Sequence, residues 1–140
     1  MLKEPLTIAV DNLVGEIGGI KVAGYRLVTL SCTALDENHF DILYHFDRAL
    51  ELKHLRLKVA RDTEVPSISP IYFAAFVVEN EIQDLFGIRF KGLVIDYERT
   101  LYLDEAPRVT PFCKYTVSAP QSETVQLPPE SGSLRTGEDV

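Results

Sequence analysis

The sequence predicts an α/β (α+β) domain: a small, mostly antiparallel sheet, two main helices packed on one of its sides, and an extended C-terminal tail. Three observations predict it. Phe40, Ile42, Tyr44 and Phe46 alternate with Asp41, Leu43, His45 and Asp47, the period of a strand with one strongly apolar face. Ile71, Ala74, Ala75, Val78, Ile82 and Leu85 recur at helical spacing and form one buried stripe. Pro120, Pro128, Pro129, Gly132 and Gly137 fall among many Ser, Thr and Glu after residue 118, with too little apolar surface to fold alone. Residues 1–118 therefore read as one domain and 119–140 as an extended or disordered tail.

The elements follow in order. Residues 6–10 read as a short strand. Asp11 offers an N-cap carboxylate to a helix over 12–23, whose buried face is Leu13, Ile17 and Ile20. Gly15, Gly18 and Gly19 weaken that helix by up to ~1 kcal/mol each relative to Ala, and Gly24 suits its C-terminal cap. Residues 25–34 have few breakers and read as a largely covered strand. Asp36-Glu37-Asn38 is a turn signal, the alternating strand over 40–47 follows, and a loop is expected over 49–53. Leu55, Leu57 and Val59 alternate with Arg56 and Lys58, a third strand with a positively charged wet face. Short connections make the three an antiparallel meander. Ser69 is the expected N-cap and Pro70 the first residue of a helix over 70–86. Gly87 then ends it at positive φ. Residues 88–90 and 100–103 are short strand candidates.

Composition bounds the function. Lys and Arg number 14 against 21 Asp and Glu, a net charge of −7. That disfavours a nucleic-acid partner, which needs concentrated positive charge, and equally disfavours adsorption to anionic lipid; partners with basic surfaces fit better. Cys32 and Cys113 lie far apart and outside any C-x-x-C pair, so they read as reduced thiols rather than as cluster or zinc ligands. The N-terminus lacks the apolar stretch of a signal peptide, and no stretch approaches ~20 apolar residues, so none is expected to span a membrane.

Residues that could carry chemistry are few. His39, His45 and His54 show no metal-ligand spacing on a helix and read as ordinary satisfied histidines. The glycines at 15, 18 and 19 do not form a dinucleotide loop. Ser67 and Ser69 read as helix-start residues, and Tyr44 and Tyr72 as core. The carboxylates at the end of the second helix stand out. Glu79, Glu81 and Asp84 occupy its last turns, where the helix dipole disfavours acids by ~0.3–1 kcal/mol each. Something must satisfy them: Arg56, Lys58 or Arg61 of this chain, or a cation on a partner. Glu79 and Glu81 diverge, whereas Glu81 and Asp84 are i,i+3 neighbours that can converge. Such a pair can hold a cation or a proton, or accept a partner's Arg in bidentate fashion.

The segment over 79–92, Glu79-Asn80-Glu81-Ile82-Gln83-Asp84-Leu85-Phe86-Gly87-Ile88-Arg89-Phe90-Lys91-Gly92, resembles the signature of the thirty-kilodalton subunit family of respiratory complex I, the C-type subunit of NADH dehydrogenase. That pattern is E-R-E-x-x-D-x-F-G-I-x-F-x-G-H-P. Glu79, Glu81, Asp84, Phe86, Gly87, Ile88, Phe90 and Gly92 match it position for position. Val65-Pro66-Ser67 matches the family's V-P-S, and the likeness runs over 24–114. The departures are Asn80 for the Arg, Leu93-Val94 for the His-Pro, and Pro111-Phe112-Cys113-Lys114 for the later P-L-R-K. They look closer to the short D-type subunit of the energy-converting [NiFe] hydrogenases of the Ech and CO-induced type.

The resemblance implies a non-catalytic structural and assembly subunit of a membrane-bound energy-converting hydrogenase or complex I-like oxidoreductase. It implies no active site, metal or cofactor of the chain's own. Its partners would be a hydrogenase-type large subunit and iron–sulfur subunits carrying [4Fe-4S] clusters and a NiFe centre. It would sit on the cytoplasmic side of the membrane, held there through its complex. Glu79, Glu81, Asp84, Phe86, Gly87, Phe90 and Lys114 are the expected docking residues, with Phe86, Ile88 and Phe90 shaping the turn. Two other readings stay open: a free-standing cytosolic adaptor, and a small metal-dependent enzyme centred on Glu81 and Asp84.

Overall fold

The computed structural model describes residues 3–102. The order is β1 (Leu6–Ile8), a 3-10 turn (Val10–Asn12), α1 (Leu13–Val22), β2 (Arg26–Ala34), β3 (His39–Arg48), β4 (Glu51–Ala60), β5 (Glu64–Pro66), α2 (Ala75–Phe86) and β6 (Arg89–Lys91). The main sheet runs β1-β4-β3-β2. The β2–β3 and β3–β4 pairs are antiparallel and β1–β4 is parallel; β5 and β6 form a separate parallel pair. This is the α+β arrangement the sequence predicts.

Strict alternation builds the core. Phe40, Ile42, Tyr44 and Phe46 of β3 are 0–1 % exposed and pair with Val59, Leu57, Leu55 and Lys53 of β4. Both helices feed the same cluster, α1 through Leu13, Ile17 and Ile20 and α2 through Ala75 and Ile82. Phe86 meets Phe40 edge-on at 6.2 Å between ring centroids. Gly24 caps α1 as expected, at φ 86°. Its amide donates to the Lys21 carbonyl and that of Tyr25 to the Ile20 carbonyl, the paired bonds of a Schellman motif. Gly87 at φ 75° does the same service for α2, donating to the Gln83 carbonyl.

Four expectations are corrected. The first strand stops at Ile8, and Asp11 lies inside the 3-10 turn; Asn12 precedes α1 without a side-chain cap. The expected loop over 49–53 is a two-residue turn, because Arg48 pairs with Glu51 and the alternation resumes at once. Helix α2 begins at Ala75 rather than at Pro70. Residues 70–74 form successive turns, with Ile71 and Tyr72 both donating to the Ile68 carbonyl. They are anchored by the Tyr72 hydroxyl, which donates to the Tyr25 carbonyl at 2.6 Å. Ser69 is no N-cap, since its hydroxyl is engaged elsewhere. Residues 100–102 bend rather than form a strand. The tail over 119–140 lies outside the described residues.

Ala49 and Leu50, at the β3–β4 turn, both have positive φ, 47° and 68°. That is the type I′ geometry preferred by Asn-Gly, here adopted by residues with a Cβ penalty of ~1–2 kcal/mol each. Leu50 is 97 % exposed, so its side chain returns nothing to the core. Leu50→Gly should therefore stabilise the chain by about 1 kcal/mol, read as a raised thermal midpoint by circular dichroism.

Candidate functional site

Helix α2 buries four polar side chains in its last turns: Glu79, Asn80, Gln83 and Asp84. Each holds a different piece of chain against the helix. Glu79 accepts from the Ser67 hydroxyl and from the Ile68 amide at 2.8 Å. Ser67 shares a 2.7 Å hydrogen bond with Ser69, whose hydroxyl accepts from the Val94 amide at 3.0 Å. The Asn80 side-chain amide donates to the Ile95 carbonyl at 2.8 Å, and its oxygen accepts from the Tyr97 amide at 2.9 Å. Gln83 accepts from the Phe90 amide at 3.0 Å and donates to Asp96 at 3.1 Å. Asp84 accepts from the Tyr102 amide at 2.8 Å; its other carboxylate oxygen has no hydrogen bond among the described residues.

The three acids thus part company. Glu79 and Asp84 are both 0 % exposed and bind backbone and hydroxyl donors of this chain. The bonds shown for both carboxylates are internal ones. Of the cations proposed from sequence, Arg56 pairs with Asp41 at 3.2 Å. Glu81 alone of the three is partly exposed. Phe90 and Ile88 are buried and Phe86 packs against the core, consistent with shaping the turn. Lys114 lies outside the described residues.

Burial sets the electrostatics. It pushes the Glu79 carboxyl up from its ordinary 4.5 to about 7, against the opposing pull of Ser67 and the Ile68 amide. Burial, with lesser contributions from Glu79 and Cys32, pushes the Tyr44 hydroxyl well above 10. Burial and Asp41 push the Cys32 thiol up to about 12, so it stays protonated and unreactive at neutral pH.

The sheet face away from the helices carries a pair that sequence reasoning missed. His45 and His54 sit directly opposite on β3 and β4, with Nδ1 atoms 2.8 Å apart, and Ser31 meets the far side of His45 at 3.1 Å. Burial and the neighbouring His54 lower the His45 pKa. Beside them Arg26 donates to Asp47 at 2.8 Å. The signal was available: a two-residue hairpin turn fixes the register that puts 45 opposite 54. Among the described residues no group of three or more His, Cys, Asp or Glu is placed to hold a metal ion. A polar cleft of about 560 Å³ lies beyond α2, lined by Glu64, Gln83, Arg89, Asp96, Glu98 and Arg99.

Residues 8–121 match the family described as the respiratory-chain NADH dehydrogenase, 30 Kd subunit. The chain belongs to this family. Among curated relatives, it is 34 % identical over 93 residues to the C-type subunit of the NADH-quinone oxidoreductase of Ruegeria pomeroyi, covering 61 % of this chain and 46 % of that one. It is 35 % identical over 95 residues to the same subunit of Jannaschia sp., covering 62 % and 46 %. With that of Caulobacter sp. it shares 40 % identity over 58 residues, 40 % of this chain and 27 % of that one. The chain thus spans less than half the length of these relatives. A solved structure, of the membrane-bound sulfane sulfur reductase, an archaeal respiratory membrane complex, contains a chain of the same fold. Its TM-score is 0.64 at 18 % identity, covering 81 % of this chain and 73 % of that one. No helix among the described residues is long and apolar enough to cross a membrane.

In this family member the buried signature acid makes stability pH-dependent. A carboxyl that titrates higher folded than unfolded favours the fold below pH 4.5 and loses that contribution as pH rises through about 7. Between those limits the loss is on the order of 3 kcal/mol. Glu79→Gln keeps an acceptor for Ile68 and has no such titration. Urea unfolding at pH 5 and pH 8 should show wild type losing more stability than Glu79→Gln across that interval. Gly87→Val, forced to positive φ, should cost about 1–2 kcal/mol; an unchanged thermal midpoint would mean the cap has been rebuilt without a left-handed residue.

Proposed function

We propose that the chain is a non-catalytic structural subunit of a membrane-bound, complex I-like oxidoreductase. It docks on the large catalytic subunit and the iron–sulfur subunits and keeps their redox centres in register. Family membership supports the reading. The observation that carries it is the fate of the signature segment. Its buried acids and amides hold loops in place, Glu81 within it is half-buried, and on its two flanks Phe73, Val77, Val94, Ile95 and Tyr97 are exposed. Several apolar side chains around one helix are the composition of a contact surface.

Within the family we place the chain nearer the energy-converting [NiFe] hydrogenase and sulfur-reductase relatives than the respiratory enzyme. Leu93-Val94 stands where the respiratory pattern has His-Pro. In that setting [4Fe-4S] clusters and any NiFe centre belong to the partners, and this chain sits peripherally on the cytoplasmic side.

An affinity-tagged chain, recovered from detergent-solubilised membranes of its source, should bring down iron–sulfur protein in fixed proportion. Nickel in the same fraction would mark the hydrogenase branch. Recovery of the chain alone, without iron, would refute the docking role.

A further inference from the structure

The outer edge of β2 is open among the described residues. It is one border of the main sheet, and among the described residues no strand pairs with it. The opposite border, β1, is three residues long, the usual way an edge is kept harmless. β2 has nine residues. A register irregularity lies between Leu27 and Thr29, and from Thr29 to Ala34 the register is regular. That stretch reads Thr-Leu-Ser-Cys-Thr-Ala, without the charge or proline that normally blocks edge-to-edge pairing.

A groove of about 230 Å³ runs beside this edge. Residues 29–32 form one wall, and Val78, Glu81 and Leu85 of α2 belong to the other. Four consecutive strand residues, pointing to both faces of the sheet, line it, so it opens at the edge rather than on a face. Its floor and helical wall are largely apolar. Among the described residues Glu81 is its one charged side chain, and no cation lines it.

We propose that an extended segment of a partner subunit lies in this groove as an added strand beside β2. Apolar side chains at alternate positions face Cys32, Val78 and Leu85, and a Lys or Arg reaches Glu81. An edge strand flanked by a helix suits main-chain pairing for affinity and side-chain pockets for specificity. A second copy of this chain is a poor occupant, because pairing two β2 edges about a two-fold axis brings the groove acids of both copies into one interface. The inference rests on the docking role proposed above and names the segment type that docks.

The test uses the full chain in its purified complex. A photo-crosslinking benzoylphenylalanine replaces Val78 in one variant and, as a probe of the open sheet face, Lys58 in another. The expected result is a Val78 crosslink to a partner peptide with alternating apolar residues and a Lys or Arg, together with about a tenfold drop in retention of a Glu81→Lys chain. A Val78 crosslink to residues 103–140 of this chain, or to a second copy, overturns the proposal. So does no Val78 crosslink in an intact complex with Glu81→Lys retained at wild-type level. If the Lys58 probe then still labels a partner, docking stands and only the groove assignment falls. Failure of the wild-type chain to co-purify removes both.

Discussion

Burying a carboxyl costs several kcal/mol unless donors converge on it. Glu79 is fully enclosed, and its donors are the Ser67 hydroxyl and the Ile68 amide. That arrangement ties the segment after β5 to the middle of α2, and much of the downstream chain depends on the tie. Ser67 also donates its amide to the Lys91 carbonyl, which continues the β5–β6 pair. Through Ser69 the same knot reaches Val94. Hydrogen-bonded side chains of this kind support one another when every member is satisfied and weaken the structure sharply when one is lost. The raised Glu79 pKa shows that the donors do not fully offset desolvation.

This explains what was legible in the sequence and what was not. The three-stranded meander was legible because alternation is a local signal, and a strand such as β3 displays it over eight residues. The capping glycines at 24 and 87 were legible because positive φ selects glycine by sterics alone. The start of α2 was misread because Ser69-Pro70 is a strong local helix signal that distant contacts override. Tyr72 reaches back to Tyr25, and Ser69 is taken by Ser67 and Val94. The acids of α2 were recognised as out of place for a helix end. Their partners were not, because they are loop amides supplied by residues 68 and 102. Sequence displays charged partners by their letters, but any residue can donate a backbone amide. The His45–His54 pair was hidden for a related reason: it needed the hairpin register, which the expected five-residue loop obscured.

The same geometry divides the surface into regions of different character. The helices cover one sheet face and leave the other lined by ion pairs, Arg26 with Asp47 and Arg56 with Asp41, which contribute little binding energy when exposed. The helix side offers the opposite: exposed aromatic and aliphatic residues around the first turns of α2, and an uncharged strand edge. Affinity comes from buried apolar anchors and unpaired main chain more than from solvated ion pairs. The helix side is therefore where a structural subunit gains most by being covered.

The departures from the respiratory pattern at 80 and 93–94 reduce to one local change. Val94 stands where that pattern has Pro, and its amide donates to the buried Ser69 hydroxyl; a proline has no N–H to give. Asn80 stands where the pattern has Arg, and its oxygen accepts from the Tyr97 amide while its nitrogen donates to the Ile95 carbonyl; a guanidinium has donors only and could not accept. Both differences bear on the same stretch, residues 94–97, and both replace a group unable to make one of these bonds with one that makes it. Substituting either position alone toward the pattern would leave the stretch half tied. The differences at 80 and 93–94 thus form a matched set that folds the loop after β6 back onto α2. Together they set the shape of the surface around Val94, Ile95 and Tyr97.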